Sequence, residues 1–168
     1  KLDIVVNTTL SVPSLKQTDP EWGSQVYDSA NIWSPSASGI SQWGCALTSA
    51  AMVFQYNGIT KLGGIALTPG SLNTWLKGQP DGYVGSGMVN WLALSRLSKI
   101  ISIDNPTFQF DGLEYSRVPG YNPSRLSSDI SQNIPGILEE PGHFVVAKGT
   151  AGASFSINDP FYSRLTLS

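Results

Sequence analysis

Charge is scarce in this 168-residue sequence. Asp, Glu, Lys and Arg together make up 13% of it, about half the usual share, and none of them occurs from Ser29 to Thr60. The 10 basic and 12 acidic residues leave a net charge of −2 and form no runs. That excludes the electrostatic footprint of a nucleic-acid binder or of a protein that clings to an anionic membrane. No apolar run approaches the roughly 18 residues of a membrane-spanning helix. Cysteine and histidine occur once each, as Cys45 and His143. An intrachain disulfide is therefore impossible, and a zinc site of the usual Cys/His kind lacks ligands. The expectation is a protein with no metal and no cofactor, in which any imidazole chemistry falls to His143.

Hydrophobic residues account for 40% of the chain, with 17 Gly and 11 Pro, a composition that is neither disordered nor collagen-like. A chain of this length is expected to form one domain over residues 1–168, burying about 70% of its unfolded surface. The sequence starts at Lys1 without the apolar core of a signal peptide, so a targeting segment is expected to be absent or already removed. A Ser-rich surface poor in Lys and Glu suits a secreted or cell-surface bacterial protein, expected to be a monomer. The Asn7-Thr8-Thr9 sequon, present once, is read as a chance match.

Leu2 to Leu15 is rich in β-branched residues and reads as extended. Asp19 to Gln42, rich in Ser, Gly, Pro and Trp, reads as an irregular loop. Ala46 to Asn57 is apolar on every face, which predicts a helix buried on all sides that ends at Asn57-Gly58. Thr68-Pro69 opens a short helix through Leu76. Ser86 to Lys99 reads as an amphipathic helix followed by a strand over Ile100-Ile101-Ser102-Ile103, and residues 104–121 as loop. Asn122-Pro123 caps a further helix, Ser124 to Gln132. Two strands close the chain, Gly142 to Lys148 and Ala153 to Asn158, joined by Gly149-Thr150-Ala151-Gly152. Helices first and an antiparallel sheet later is an α+β layout.

Cys45 stands at the start of the buried helix, directly after Gly44. A helix N-terminus offers unpaired N–H groups and a positive dipole end, which favour thiolate over thiol. Against this, a free Cys is often a small buried hydrophobe, and a lone His on an apolar strand is often a hydrogen-bonded core residue. The hairpin raises the stakes for His143. With a loop at 149–152, one register sets Asn158 opposite His143 and the next sets Asp159 there. Either side chain would complete a Cys–His pair by fixing the imidazole tautomer.

The stretch Gly44-Cys45-Ala46-Leu47-Thr48-Ser49-Ala50-Ala51-Met52-Val53, with Tyr56-Asn57-Gly58 after it, resembles the nucleophile helix of papain-like cysteine peptidases. The similarity is strongest to the branch related to bacterial double-glycine leader peptidases, the peptidase C39-like domains. Val12-Pro13 with Gln17, Thr68-Pro69, Gly142-His143-Phe144-Val145-Val146 and Asn158-Asp159-Pro160 follow in the order that branch shows. The resemblance spans about residues 10 to 162 and implies a papain-like fold whose buried nucleophile helix packs on a C-terminal antiparallel sheet. It implies Cys45 as nucleophile, His143 as general base and then acid, and Asp159 as the group that orients the imidazole. Gln17 would supply the oxyanion-hole amide beside the N–H of Cys45, with Gln42 as the other candidate donor. The expected reaction is hydrolysis of a peptide or related amide bond through a thioester, with a peptide or protein as substrate. Loops 19–42 and 104–121 are expected to set cleft specificity; Trp22, Trp33 and Trp43 flank the nucleophile as candidates for lining a substrate groove, with core or loop packing the expected role of at least two.

Two other readings compete. A non-catalytic binding or structural module on the same fold would carry an ordinary thiol at Cys45. A serine hydrolase would need a Gly-x-Ser-x-Gly elbow, and the sequence has none.

Overall fold

The computed structural model describes residues 8–104 and 111–167. In chain order its elements are α1 (Ala30–Trp33), α2 (Ile40–Trp43), α3 (Cys45–Tyr56), β1 (Lys61–Leu62), β2 (Ile65–Ala66), α4 (Pro69–Lys77), β3 (Tyr83–Val84), β4 (Met88–Val89), α5 (Trp91–Asp104), α6 (Pro123–Ser131), β5 (Gly136–Glu140), β6 (His143–Ala151), β7 (Ser154–Asn158) and β8 (Thr166–Leu167). Strands β5 to β8 form one four-stranded antiparallel sheet in sequence order, and β1–β2 and β3–β4 are separate hairpins. The architecture is α+β.

Helix α3 explains why the middle of the sequence carries no charge. One flank, with Leu47, Ala50 and Phe54, packs among Leu72 and Leu76 of α4 and Ala93, Leu94 and Leu97 of α5. The other buries Met52 against Val145 and Val146 of β6 and Ile157 of β7. A helix covered on both flanks has no solvated face on which a charge could sit. Each of Leu47, Met52 and Phe54 contributes about 1.5–3 kcal/mol by its burial. The apolar packing that anchors α3 also fixes its first residue, Cys45.

Local signals account for the other helices that the sequence predicts. Thr68 and Ser71 form a reciprocal capping box at the start of α4, with Pro69 just inside. Asn122 accepts from the Arg125 N–H at the start of α6, where Pro123 opens the helix. The region expected to be loop from Asp19 to Gln42 contains the single-turn helices α1 and α2. Of the extended N-terminal segment, Leu2 to Asn7 lies outside the described residues. Thr8 to Leu10 runs antiparallel to β6, through a Thr9–Gly149 bridge and the Leu10 N–H to Lys148 O bond of 2.7 Å.

Three expectations require correction. The helix predicted from Ser86 begins only at Trp91, because residues 83–89 form the β3–β4 hairpin around Gly85 and Gly87, both at positive φ. The Asn90 side chain then accepts from the Leu92 N–H at 3.1 Å and starts α5. The predicted strand Ile100–Ile103 is instead the last turn of that helix. Its β-branched residues favour a strand locally, but Ile101 continues the buried stripe of Ala93, Leu94, Leu97 and Ser98 at helical spacing.

The third correction concerns the closing hairpin. Its turn is Gly152-Ala153, with Ala151 paired to Ser154, and β6 runs on through Gly149 and Thr150. A register shift between Ala147 and Gly149 then sets Asn158 opposite Val146, so neither expected register occurs. Gly149 serves close approach rather than turning. A Cβ there would lie 2.6 Å from Thr8 O and 3.1 Å from the Thr9 Cα. Strand β5, absent from the sequence reading, completes the sheet and pairs Glu140 with His143.

Candidate active site

Four elements converge on one cleft. The start of α3 brings Cys45, and the Pro141-Gly142 turn between β5 and β6 brings His143 beside Glu140. The segment after β7 brings Phe161, Tyr162 and Arg164, and the N-terminal segment brings Gln17. The cavity has a volume of about 530 Å³, and Gln42 also lines it.

The N-terminal segment is fastened directly to the turn that follows β7. The Gln17 N–H donates to Pro160 O at 2.9 Å. Lys16 Nζ donates to Asp159 O at 2.6 Å and to Tyr162 O at 2.7 Å. Trp22 Nε1 holds Lys16 O from the other side. Gln17 is therefore buried, at 2% exposure, although it lies in an irregular stretch. Its Nε2 donates to Ser41 O at 2.9 Å, while its Oε1 has no partner among the described residues. A primary amide carries a second N–H beyond the one spent on Ser41. Gln42 is exposed.

Gly44 is required where α2 meets α3. Its N–H donates to Ile40 O at 2.7 Å, and a Cβ on it would lie 2.5 Å from Ile40 Cγ2. Cys45 follows as the first residue of α3, partly buried, where the N–H groups have no intrahelical partner. Burial pushes the Cys45 thiol above its ordinary range. The N–H groups of Phe144, Ala46 and Cys45 itself pull the other way without prevailing, and the Asp159 charge adds to the rise. The expected preference for thiolate at the helix start is thus outweighed by desolvation. A proton acceptor is needed to activate this thiol. Phe144, whose N–H acts on this thiol, adjoins His143 on β6.

His143 Nε2 lies 2.8 Å from Asp159 Oδ1, so Nδ1 is the ring nitrogen not spent on Asp159. Asp159 itself is buried, at 2% exposure. Its Oδ1 also accepts from the Phe161 and Tyr162 N–H groups, each at 2.9 Å, and its Oδ2 accepts from Arg164 Nε at 2.8 Å. Burial would raise this carboxyl, but the Phe161 N–H, His143, the Tyr162 N–H and Arg164 together hold it below the usual carboxylate range. Asn158 does a different job. Its Nδ2 donates to Val12 O and Pro13 O, stitching the N-terminal segment to β7. The Tyr162 ring stands edge-on to His143 at 5.4 Å and to Phe161 at 4.9 Å, forming an aromatic wall.

Cys45, His143 and Gln17 line the same cleft, and Asp159 meets His143 behind it. None of Trp22, Trp33 and Trp43 lines the cleft: Trp22 is core, and Trp33 and Trp43 pack edge to face at 5.1 Å. Among the described residues, loop 104–121 contributes nothing to the cleft walls, which come instead from residues 140–143 and 161–164. Arg164 and Glu140 are the site residues that sequence reasoning missed. Arg164 donates to Glu140 Oε1 at 3.2 Å and Oε2 at 2.6 Å while holding Asp159. Among the described residues no group of three Cys, His, Asp or Glu side chains is placed to hold a metal ion. No described helix is long and apolar enough to cross a membrane.

No protein-family model matches this chain, and no curated protein matches it. Among solved structures, it aligns with a "putative C39-like peptidase" from Bacillus anthracis. The alignment covers 96% of this chain and 88% of that one, at 16% identity and a TM-score of 0.49. A likeness at that level assigns neither a family nor an activity to this chain.

Proposed function

We propose that this protein is a papain-like cysteine peptidase, or a relative cleaving another amide bond, with Cys45 as nucleophile. The observation that carries the reading is the His143–Asp159 contact at 2.8 Å, made through Nε2 beside the cleft that Cys45 lines. That contact leaves Nδ1 to serve as the base, with Asp159 fixing the tautomer.

In this mechanism His143 takes the Sγ proton as Cys45 attacks the substrate carbonyl carbon. Negative charge then collects on the carbonyl oxygen, where the Cys45 N–H and the remaining N–H of Gln17 would stabilise it. A donor of this kind is worth on the order of 3 kcal/mol in the transition state. The tetrahedral intermediate collapses to a thioester on Cys45 as His143 passes its proton to the departing amine. Water, deprotonated by His143, then hydrolyses the thioester and restores the thiol. The proton balance closes without any cofactor.

The test is Cys45→Ala, assayed on a mixed peptide library by mass spectrometry. The expected outcome is complete loss of cleavage with an unchanged unfolding transition. Turnover that survives in the alanine variant would refute the nucleophile assignment, and wild-type protein that cleaves nothing would favour a binding module.

A further inference from the structure

We infer that Arg164 is a positioning residue that neutralises Asp159 and so keeps the His143 imidazolium ready to release its proton. The inference rests on the cysteine-peptidase reading above. Asp159 is buried and pressed against the only histidine in the chain, and Glu140 is the cross-strand neighbour of that histidine. Two carboxylates so placed would stabilise the imidazolium strongly. A histidine that must give its proton to a leaving amine near neutral pH is poorly served by that environment.

Arg164 lies between the two carboxylates. Its Nε donates to Asp159 Oδ2 at 2.8 Å, and its Nη2 lies 2.7 Å from the same oxygen. Nη1 and Nη2 each reach one oxygen of Glu140. The guanidinium also lies over the Tyr162 ring, 5.6 Å from its centroid, and the same ring stands edge-on to His143. These contacts keep the arginine protonated and pushed above its ordinary range. Asp159 can thus hold the imidazole through Oδ1 while its other oxygen, Oδ2, is engaged by Arg164. The other titratable groups beside His143 are Tyr162, whose ring meets it edge-on, and Cys45, which lines the same cleft. Lys16 is directed at the Asp159 and Tyr162 carbonyls rather than at a carboxylate.

The lone histidine makes the test direct. Its Cε1–H resonance, followed by NMR against pH on untagged protein at low salt, reports a single midpoint. Arg164→Gln should raise that midpoint. Arg164→Lys, which keeps the charge and loses the fork, should leave it near the wild-type value. Glu140→Gln should move it the opposite way, downward. Opposed shifts from two partners of one ion cluster are not what loosened packing would produce. A wild-type midpoint in Arg164→Gln, or an equal rise in Arg164→Lys, would overturn the inference. Should Arg164→Gln fail to fold, Glu140→Gln decides, and an unmoved midpoint there refutes it. The parent reading is checked separately by the pH profile of iodoacetamide alkylation of Cys45. A profile unaffected by His143→Ala would sink the Cys–His pair while leaving the histidine titration valid.

Discussion

Asp159 and Asn158 are adjacent and both buried, at 2% and 5% exposure, yet they should fail in different ways when truncated. Asp159→Ala removes the acceptor for the Phe161 and Tyr162 N–H groups, for His143 and for Arg164. Hydrogen bonds to a charged group contribute about 1.5–3 kcal/mol each. The lower figure applies here, because Phe161 and Tyr162 are exposed enough for water to replace part of the loss and Arg164 keeps Glu140. Recovering the desolvation cost of the buried carboxylate offsets part of the remainder, so the net loss is about 3 kcal/mol. Asn158→Ala strands the Val12 and Pro13 carbonyls, two neutral bonds together worth about 2 kcal/mol. Stability alone will barely separate the two variants in urea. Turnover will: Asp159→Ala should lose on the order of 10²–10⁴-fold, because nothing then fixes the imidazole tautomer, while Asn158→Ala should stay near wild type. Equal turnover losses, or a larger one in Asn158→Ala, would refute the assignment. The pH dependence supplies a second check. The folded carboxyl lies below its unfolded value, so its contribution is complete above about pH 4 and is lost as pH falls through the folded value. Wild type should therefore lose stability more steeply in acid than Asp159→Ala does.

Gly44→Ala should lower stability by about 2 kcal/mol and reduce turnover together, since the new Cβ meets Ile40 Cγ2 and O at 2.5 and 2.6 Å and must displace Cys45. An unchanged melting temperature would contradict that geometry. Gln17→Ala should cost on the order of 10²-fold in kcat through the oxyanion and about 1 kcal/mol of stability through the lost Ser41 bond. Gln42→Ala, at an exposed position, should cost far less, and the reverse ranking in a kinetic comparison would transfer the donor role to Gln42.

What could be read from sequence was set by how local each signal is. The α3, α4 and α6 segments carry their own stop signals, caps or prolines within a few residues of each end, so composition and spacing suffice. Ile100–Ile103 misleads because strand propensity is local, whereas the helical stripe that buries Ile101 depends on α5 packing against the core. Gly149 misleads for a related reason. Glycine marks either a turn or a close approach of another chain segment, and here the approaching segment is Thr8-Thr9, some 140 positions away in sequence. Reading it as a turn displaced the whole hairpin register.

That displaced register did not separate Asp159 from His143, and the reason is physical. Asp159 lies one residue past the end of β7, so its position is governed by the turn through Pro160 rather than by strand pairing. Lys16, the Gln17 N–H and the Asx-type bonds to residues 161 and 162 hold that turn. The same turn delivers Arg164, whose significance depends on Glu140 lying across from His143 on β5. No motif announces an arginine shared by two carboxylates, one of them 24 positions away in sequence. If the inference drawn above holds, its presence changes how the site works, because a carboxylate paired with a guanidinium orients an imidazole much as a neutral amide would. Geometric pairing of His143 with an acidic residue is therefore an incomplete description of this site. In the cysteine-peptidase mechanism proposed above, the imidazole that exchanges a proton with Cys45 and a leaving amine would do so beside the whole Asp159–Arg164–Glu140 cluster, not beside one carboxylate.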